Sequence, residues 1–316
     1  MINTPICSLI GIEYPIFQGG MAWISDAKLA AAVSNGGGLG IISAMNADAD
    51  YLRGQITEAR RMTDKPFGVN IMLLSPFADE VAKVAAEEKV AVVTTGAGNP
   101  SKYMETWITA GIKVIPVVAS VAMAKLVTKA GASAVIAEGG ESGGHVGETT
   151  TMALMPQVCD VTDLPVIAAG GIADGRGVAA AIMLGAQAVQ LGTRFLVADE
   201  CAIHPNYKDK ILRANDISTI TTGKRLGHPV RSLKTPFSRA YLKAEYDSNV
   251  SDEELESMGT GSVRLGAVEG DAERGTFLSG QIAGLVTRKQ SAAEIIKEIF
   301  TEAEEILRSA ERWIKK

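Results

Sequence analysis

The 316-residue sequence has little of what several classes of protein require. Aromatic residues make up only 5% of it, which is poor material for a surface that stacks nucleic-acid bases. The formal net charge of −5 argues against a general DNA or membrane-surface binder. The three cysteines are scattered and lack CxxC spacing, so they predict neither a disulfide framework nor a zinc site and indicate a reducing cytosol.

Targeting and cofactor motifs are missing as well. The first residues, MINTPICSLIGIEYP, lack a basic region followed by an apolar run, so no signal peptide is predicted. No uninterrupted apolar stretch is long enough to predict a transmembrane helix. The P-loop and Rossmann fingerprints and HExxH are absent, and the three histidines are too dispersed to predict a metal cluster. We therefore expect a cytoplasmic protein without a membrane or nucleic-acid partner.

One pattern is repeated eight times within the first 200 residues, a short apolar run followed by a helical segment. The runs are apolar on both faces, as in VIPVV and PVIAAGG, which is typical of parallel strands covered on both sides. Eight such units favour an α/β fold with a closed (β/α)8 TIM barrel over an open doubly wound sheet, which periodicity alone does not exclude. The predicted strands are Tyr14–Gln18, Gly38–Ser43, Pro66–Leu73, Ala91–Thr95, Lys113–Ala119, Ala134–Glu138, Pro165–Ala169 and Ala188–Thr193.

The composition changes after the eighth run. Lys208 to Lys243 contains nine Lys or Arg and two Asp, and residues 244–256 then carry six acids and no bases. This stretch breaks the strand–helix rhythm and predicts an inserted cap or lid, with a solvated charged loop as the alternative. The expected organisation is a barrel at 1–198, a cap at 199–270, and a return to the barrel at 271–316.

The chain closes with a predicted amphipathic helix over Ser291–Lys316. Ser291 and Glu294 form a capping-box pattern at its start. We expect the helix to dock on the barrel rather than on a partner. Its predicted apolar face consists of Ile295, Ile299, Phe300, Ile306, Leu307, Trp313 and Ile314.

Glycines follow the ends of several predicted strands. In a barrel these ends converge on the catalytic face, and the loops after strands 7 and 8 commonly bind a phosphate. Gly170-Gly171 and Gly192-Thr193 lie at those two ends. Main-chain N–H groups and a following helix N-terminus favour an anion there, whereas tight turns that need glycine are the alternative explanation.

The longest interval between strands contains EGGESGGHVG, with His145 near its end. Five glycines in ten residues predict a mobile backbone that lies against a ligand. His145 is a candidate proton donor or base, or else a histidine that only bonds within the loop. His204 and His228 fall in the charged insertion, and we interpret both as surface histidines without a ligand.

Polar residues also interrupt or end the apolar strands. Asn70 lies inside FGVNIML, and its amide needs a partner, either a ligand or a group of the barrel core. Gln18, Gln190 and Glu138 end strands 1, 8 and 6, so we expect all three at the same mouth of the barrel.

Together these residues resemble the flavin-dependent barrel family of nitronate monooxygenases and FMN-type enoyl-acyl-carrier-protein reductases. The resemblance covers nearly the whole chain and is closest to the enoyl reductase II branch, in VNIMLLSPF, TTGAGNPSKYM and HPNYKDKIL. The segments that carry it are YPIFQGGMAW, GGLGIIS, KPFGVNIMLL, VVTTGAGNPSKY, VIPVV, AEGGESGGHVG, PVIAAGGIADG, AVQLGTRF and GQIAGLV. Nitronate monooxygenases share the FMN site and the histidine, so oxidation of alkyl nitronates with O2 is the alternative activity.

The resemblance implies FMN as cofactor, NADH or NADPH as reductant, and His145 as the catalytic histidine. Hydride would pass from flavin N5 to the β-carbon of a trans-2-enoyl thioester of acyl carrier protein or CoA, and a proton to the α-carbon. It also implies a homodimer, and a monovalent cation in some members, for which the sequence predicts no site. The implied FMN contacts are Gly20, Met21, Ala22, Asn70, Thr95, Glu138, Gly143, Gly144, Gly170, Gly171, Gln190, Gly192 and Thr193.

The basic insertion predicts contact with an anionic ligand. Candidates are the phosphates of the nicotinamide, a phosphopantetheine arm, or the acidic surface of acyl carrier protein, which the overall charge of −5 would otherwise repel. A solvated lid is the alternative. The candidate residues are Lys224, Arg225, Arg231, Lys234 and Arg239.

Overall fold

The computed structural model describes residues 1–45 and 47–314. Eleven strands lie within this part of the chain, of which eight form a barrel sheet and three a small second sheet. In chain order the strands are β1 (Ile16–Gln18), β2 (Gly40–Ser43), β3 (Phe67–Met72), β4 (Val92–Gly96), β5 (Lys113–Val118), β6 (Val135–Glu138), β7 (Gly144–His145), β8 (Val166–Ala169), β9 (Ala188–Leu191), β10 (Thr219–Thr222) and β11 (Val230–Leu233).

The barrel sheet is parallel throughout, in the order β1-β9-β8-β6-β5-β4-β3-β2. Its two outer strands meet, because the Gln18 N–H donates to the Leu39 carbonyl at 3.0 Å and the Leu39 N–H donates to the Ile16 carbonyl at 2.8 Å. The chain therefore forms the predicted (β/α)8 barrel, and the open-sheet alternative is wrong.

The helices follow the strands as the repeated pattern predicts. Asp26, Asp48 and Ser120 cap three of them by accepting a main-chain N–H in the first turn. The α-helices are α1 (Pro5–Ile10), α2 (Ala27–Asn35), α3 (Ala49–Met62), α4 (Ala78–Glu87), α5 (Ser101–Thr109), α6 (Val121–Lys129), α7 (Thr151–Cys159), α8 (Gly175–Met183), α9 (Pro205–Leu212), α10 (Pro236–Glu245), α11 (Asp252–Gly259), α12 (Ser262–Arg264) and α13 (Ala292–Arg308).

The two faces of the barrel strands serve two separate cores. One face contributes to an inner cluster that includes Phe17, Ile41 and Ile136, and Ile6 of α1 belongs to the same cluster. The other face packs under the surrounding helices. Both faces are thus removed from water, which explains why the strand sequences are apolar without alternation.

The C-terminal helix docks on the barrel, as predicted. Helix α13 begins with the capping box of Ser291 and Glu294, and it buries Ile295, Ile299 and Phe300 against α8 and α2. The helix ends earlier than predicted, at Arg308, and a 3₁₀ turn follows. Ile306 and Leu307 are half-buried and Ile314 is exposed, so the apolar face is shorter than predicted. The Trp313 side chain, Lys315 and Lys316 lie outside the described residues.

The charged insertion is folded. It contains α9 to α12 and the β10–β11 hairpin, and β11 pairs with β7 from the barrel loop to complete the second sheet. The alternative of a solvated charged loop is wrong, whereas the exact domain bounds stay a prediction. In the part of the chain that the structure describes, no helix has the length and apolar character needed to span a membrane.

Candidate active site

A cavity of about 490 Å³ opens at the carboxyl ends of the barrel strands. This volume lies within the range typical of pockets that bind cofactors and small substrates. Each of the eight barrel strands, or the loop that follows it, contributes to the lining, so the cavity lies at the catalytic face of the barrel. One contributor from each strand in turn is Gly19, Met45, Asn70, Gly96, Val117, Glu138, Ala169 and Gln190.

One end of the cavity is built from main chain. Gly170 and Gly171 follow β8 with φ angles of +89° and +75°. A Cβ atom on Gly170 would lie 2.8 Å from the Gly139 carbonyl oxygen, so only glycine fits there. Among the described residues, none accepts a hydrogen bond from the N–H groups of Gly171, Gly192 and Thr193. Unpaired donors from two adjacent loops form a site suited to an anion such as a phosphate.

The first N–H groups of α8, the helix after β8, already have partners within the protein. The N–H groups of Arg176 and Gly177 donate to Asp174 Oδ1 at 3.0 and 3.3 Å, and the Gly175 N–H donates to Glu302 Oε2 of α13 at 2.7 Å. Two carboxylates therefore accept hydrogen bonds from the first three N–H groups of α8, at the positive end of the helix dipole. The unpaired N–H groups therefore belong to Gly171, to Gly192 and to Thr193, the first residue of a 3₁₀ turn. Anion binding by a helix N-terminus stays a prediction.

Three polar side chains line the middle of the cavity, Asn70 of β3, Glu138 of β6 and Gln190 of β9. The Thr94 hydroxyl donates to Asn70 Oδ1 at 2.9 Å, so Asn70 is bonded within the barrel wall and also lines the cavity. A Cβ atom on Gly20 would lie 2.3 Å from the Asn70 Cβ. The main chain of Gly20 thus packs directly against Asn70, which no larger residue allows.

Glu138 is an acid in a largely apolar surrounding. Its side chain keeps a partly exposed surface toward the cavity, while the barrel encloses it on the other sides. This burial raises the pKa of Glu138 to about 7, against a smaller opposing effect of the Ser142 hydroxyl. The carboxyl group therefore titrates near neutral pH, and its protonated form can donate a hydrogen bond into the cavity.

Two residues that the sequence places at the cavity, Gln18 and Thr95, do not line it. Gln18 is fully buried, with Nε2 donating to Ser25 Oγ at 2.8 Å and Oε1 accepting from the Ile41 N–H at 3.2 Å, so placing it at the mouth is wrong. Thr95 is buried in β4 and does not line the cavity. Which face a strand-end side chain takes depends on a shift of one residue, and the apolar pattern on both faces leaves that undecided.

The loop that carries His145 is ordered by pairing with the insertion. β7 runs antiparallel to β11, with His145 opposite Val230 and Gly144 opposite Arg231. The pairing holds Gly144 and His145 in place, and the mobility that the five glycines predict for the loop stays a prediction. The partner strand is distant in sequence, so no local pattern indicates it.

The return segment after the insertion closes another side of the cavity. The Gly280 N–H donates to Thr193 Oγ1 at 2.9 Å, and the Gln281 N–H donates to the Glu141 carbonyl at 2.9 Å. These bonds join the end of β9 to the histidine loop. Leu278, Gly280 and Ile282 of this segment line the cavity.

Two histidines lie at the mouth of the cavity. His145 and His228 both belong to the lining, and both are exposed. The exposure of His228 agrees with its interpretation as a surface histidine, and the expectation that it meets no ligand stays a prediction. Burial, together with the positive charge of His228, lowers the pKa of His145. A lower pKa makes the protonated imidazole a stronger acid. His204 instead caps α9, where its Nδ1 accepts from the Asn206 N–H at 3.2 Å.

The basic residues of the insertion fall into two groups. Arg231 Nη2 donates to the Gly140 carbonyl at 2.9 Å, which ties β11 to the histidine loop. Arg225 contacts Asp252 at 2.8 Å and the Val250 carbonyl at 2.8 Å, so it joins the hairpin to the chain after α10. Lys224, Lys234 and Arg239 form the second group; they are exposed and lie outside the cavity lining. Ligand binding by all five residues stays a prediction.

The structure brings most of the implied cofactor residues together. All of them except Thr95 line the cavity, namely Gly20, Met21, Ala22, Asn70, Glu138, Gly143, Gly144, Gly170, Gly171, Gln190, Gly192 and Thr193. Within residues 1–45 and 47–314, no group of three or more His, Cys, Asp or Glu side chains is placed to hold a metal ion.

Comparison with known proteins agrees with this architecture. The model of the family described as nitronate monooxygenase matches residues 3–89 and 75–302, so the chain belongs to that family. A Mycobacterium tuberculosis protein named (3aS,4S,5R,7aS)-5-hydroxy-7a-methyl-1-oxo-octahydro-1H-indene-4-carboxyl-CoA dehydrogenase is 34% identical, with 96% of each chain covered. A probable nitronate monooxygenase of Staphylococcus saprophyticus is 32% identical, covering 97% of this chain and 99% of its own.

Among solved structures, FabK from Thermotoga maritima is 52% identical, with a TM-score of 0.97. The match covers 99% of this chain and all of that one. Monooxygenases and dehydrogenases are both oxidoreductases, so the relatives define an oxidoreductase family whose members differ in reaction.

Proposed function

We propose that this protein is an FMN-dependent enoyl-acyl-carrier-protein reductase, which uses NADH or NADPH to saturate a trans-2-enoyl thioester. This reaction is the last step of the fatty-acid elongation cycle. The observation that carries the proposal is the 52% identity to FabK, an enoyl-acyl-carrier-protein reductase II, over the full length of both chains. The M. tuberculosis relative is named for a CoA thioester, which supports a thioester substrate as well.

The cavity fits FMN on two grounds. The unpaired N–H groups of Gly171, Gly192 and Thr193 suit its phosphate. Asn70 and Glu138 offer an amide and a carboxyl group to the polar edge of a flavin ring. When bound, FMN supplies the two-electron redox chemistry between a nicotinamide and the substrate.

The residues of this chain would then position the substrate and supply the proton. His145 lies on β7, which β11 holds over the cavity, and its lowered pKa suits the donation of a proton to the substrate α-carbon. Leu278 and Ile282 of the return segment provide apolar surface beside it, which keeps water from the reacting atoms.

Nitronate oxidation with O2 is the second candidate. The family description and the S. saprophyticus relative favour it, at 32% identity. The same flavin site and histidine serve either reaction, so the electron acceptor decides between them.

Anaerobic stopped-flow on the purified flavoprotein tests the proposal. NADH or NADPH should bleach the flavin absorbance, and a crotonyl thioester should restore it. Reoxidation by an alkyl nitronate system with O2, and none by the thioester, would replace the proposal with the second candidate.

His145→Ala extends this experiment. The variant should keep its flavin but lose about 10²- to 10⁴-fold in reoxidation by the thioester, because general acid assistance is absent. A near-native rate would make His145 a residue that only shapes the loop.

The proposal also covers the acyl carrier, the oligomeric state and the cellular location of the enzyme. The carrier of the enoyl group is acyl carrier protein, the assembly is a homodimer, and the location is the cytoplasm. Size-exclusion chromatography with light scattering tests the dimer, and comparing KM for carrier-bound and CoA-bound crotonyl groups tests the carrier.

A further inference from the structure

The pairing of β7 with β11 brings two histidines together at the cavity. His145 is opposite Val230, and the Val146 N–H donates to the Pro229 carbonyl at 3.0 Å, which continues the antiparallel pairing toward His228. His228 lies in the turn that leads into β11, and it lines the same cavity as His145.

The position of His228 is held by a buried carboxylate. Glu245 of α10 is only 3% exposed, and it accepts from the Gly223 N–H at 3.0 Å and the Arg225 N–H at 2.8 Å. The His228 N–H then donates to the Gly223 carbonyl at 3.0 Å. This series of bonds links a helix of the insertion to the turn that presents His228 at the cavity mouth.

We propose that His228 is a second catalytic residue, which donates a hydrogen bond from its imidazole N–H to the thioester carbonyl oxygen of the substrate. Glu245 is its positioning residue. The proposal rests on the enoyl reduction proposed above.

The chemistry of that reaction calls for such a donor. Hydride that originates on the nicotinamide adds to the β-carbon, and the π electrons of the double bond move onto the thioester carbonyl oxygen as an enolate. The enolate then takes a proton from His145 at the α-carbon, and its electron pair forms the new C–H bond. His145 regains a proton from solvent, whereas His228 keeps its own throughout. A donor placed where the negative charge develops stabilises the transition state.

Separate measurement of the two half-reactions tests this role. Flavin reduction by NADH involves no thioester, so His228→Ala should leave that rate and the flavin content within about twofold of the native values. Reoxidation by crotonyl thioester should fall by about 10²-fold, the usual effect of losing one such donor. His228→Gln keeps an N–H donor and should recover part of the loss. His204→Asn is the matched control and should leave both rates unchanged, since asparagine also caps a helix.

The outcomes separate this inference from the function it rests on. If the native protein is not reoxidised by the thioester, the proposed function fails. If the native protein is reoxidised and His228→Ala matches it within about threefold, only the role of His228 is overturned. An equal fall in both half-reactions also overturns it, because a carbonyl contact acts on the thioester alone.

A double-mutant cycle tests the positioning role of Glu245. Glu245→Gln keeps the side-chain volume but loses one of the two acceptors for the turn, so reoxidation should fall in the same direction as in His228→Ala. If Glu245 acts through His228, adding Glu245→Gln to His228→Ala should cause no further fall in reoxidation. Multiplied effects of the two substitutions would show that Glu245 acts independently and overturn its positioning role.

Discussion

The two ends of the cavity are formed by different chemical groups. We call the end built from the loops of Gly170-Gly171 and Gly192-Thr193 the anion end. At the anion end the groups are main-chain N–H donors of loops that directly follow β8 and β9, and at the mouth they are side chains of the histidine loop and the hairpin. The first end depends on residues next to each other in sequence. The second depends on the pairing of β7 with β11, which joins distant parts of the chain. Local geometry thus sets where unpaired N–H donors lie, and long-range pairing sets which side chains line the mouth.

The largest expected effect is the loss of FMN binding when a residue of the anion end is replaced. Gly170→Leu should abolish FMN binding, because Gly170 has φ +89° and its Cβ would lie 2.8 Å from a carbonyl oxygen, which forces the loop to move. The measurement is the flavin absorbance per chain after purification, followed by titration of the flavin-free protein with FMN.

Gly54→Ala is the control for that substitution. Gly54 lies in α3, and a Cβ atom at this position would have no neighbouring atom within 4 Å. Alanine should therefore leave FMN binding intact and stabilise the helix by up to about 1 kcal/mol. Full flavin occupancy in Gly170→Leu would show that the anion end lies elsewhere.

A smaller effect concerns Glu138, between the two ends. Its pKa in the folded state is about 7, against an ordinary value of 4.5. Between these values the folded state binds more protons than the unfolded state, so stability falls as pH rises through this window and the loss is complete above pH 7. In the flavin-free protein, Glu138→Gln should therefore gain stability relative to the native chain by up to about 3 kcal/mol between pH 4.5 and pH 8. Urea unfolding at several pH values measures this, and a pH-independent difference would contradict it.

The smallest expected effects are changes in stability and KM caused by substitutions in and after β11, near the mouth of the cavity. Arg231→Ala should lower the free energy of unfolding by about 1–3 kcal/mol, because the Gly140 carbonyl loses its charged donor. Lys234 is exposed, so Lys234→Ala should change stability by less than about 0.5 kcal/mol. We expect KM for a carrier-bound substrate to rise in Arg231→Ala with little dependence on salt. An equal, salt-dependent rise in both variants would instead indicate steering by surface charge.

The barrel and the glycine loops at its catalytic face could be predicted because their signals are local. Eight apolar runs at regular intervals predict the strands, and glycines directly after two of them mark the loops with unpaired donors. The capping box of Ser291 and Glu294 likewise lies within four residues. In each case the residues that interact are close in sequence, so a single chain carries the whole pattern.

The mouth could not be predicted in the same way. Nothing near His228 indicates that the strand after it, β11, pairs with β7, so the pattern favours a surface histidine. Gln18 failed for a different reason, since a strand buried on both faces does not reveal where its last side chain points. The role of Glu302 in satisfying α8 also depends on a helix from the far end of the chain.

The small sheet sets an order of assembly. Chain growth runs from the amino terminus, and domains tend to fold in that direction during synthesis. All eight barrel strands and Thr193 leave the ribosome before β10 and β11 do. The barrel strands are therefore synthesised before the hairpin and before the return segment, which both line the mouth of the cavity. The mouth is thus the last part of the cavity to form, because it depends on segments that follow all eight barrel strands in the chain.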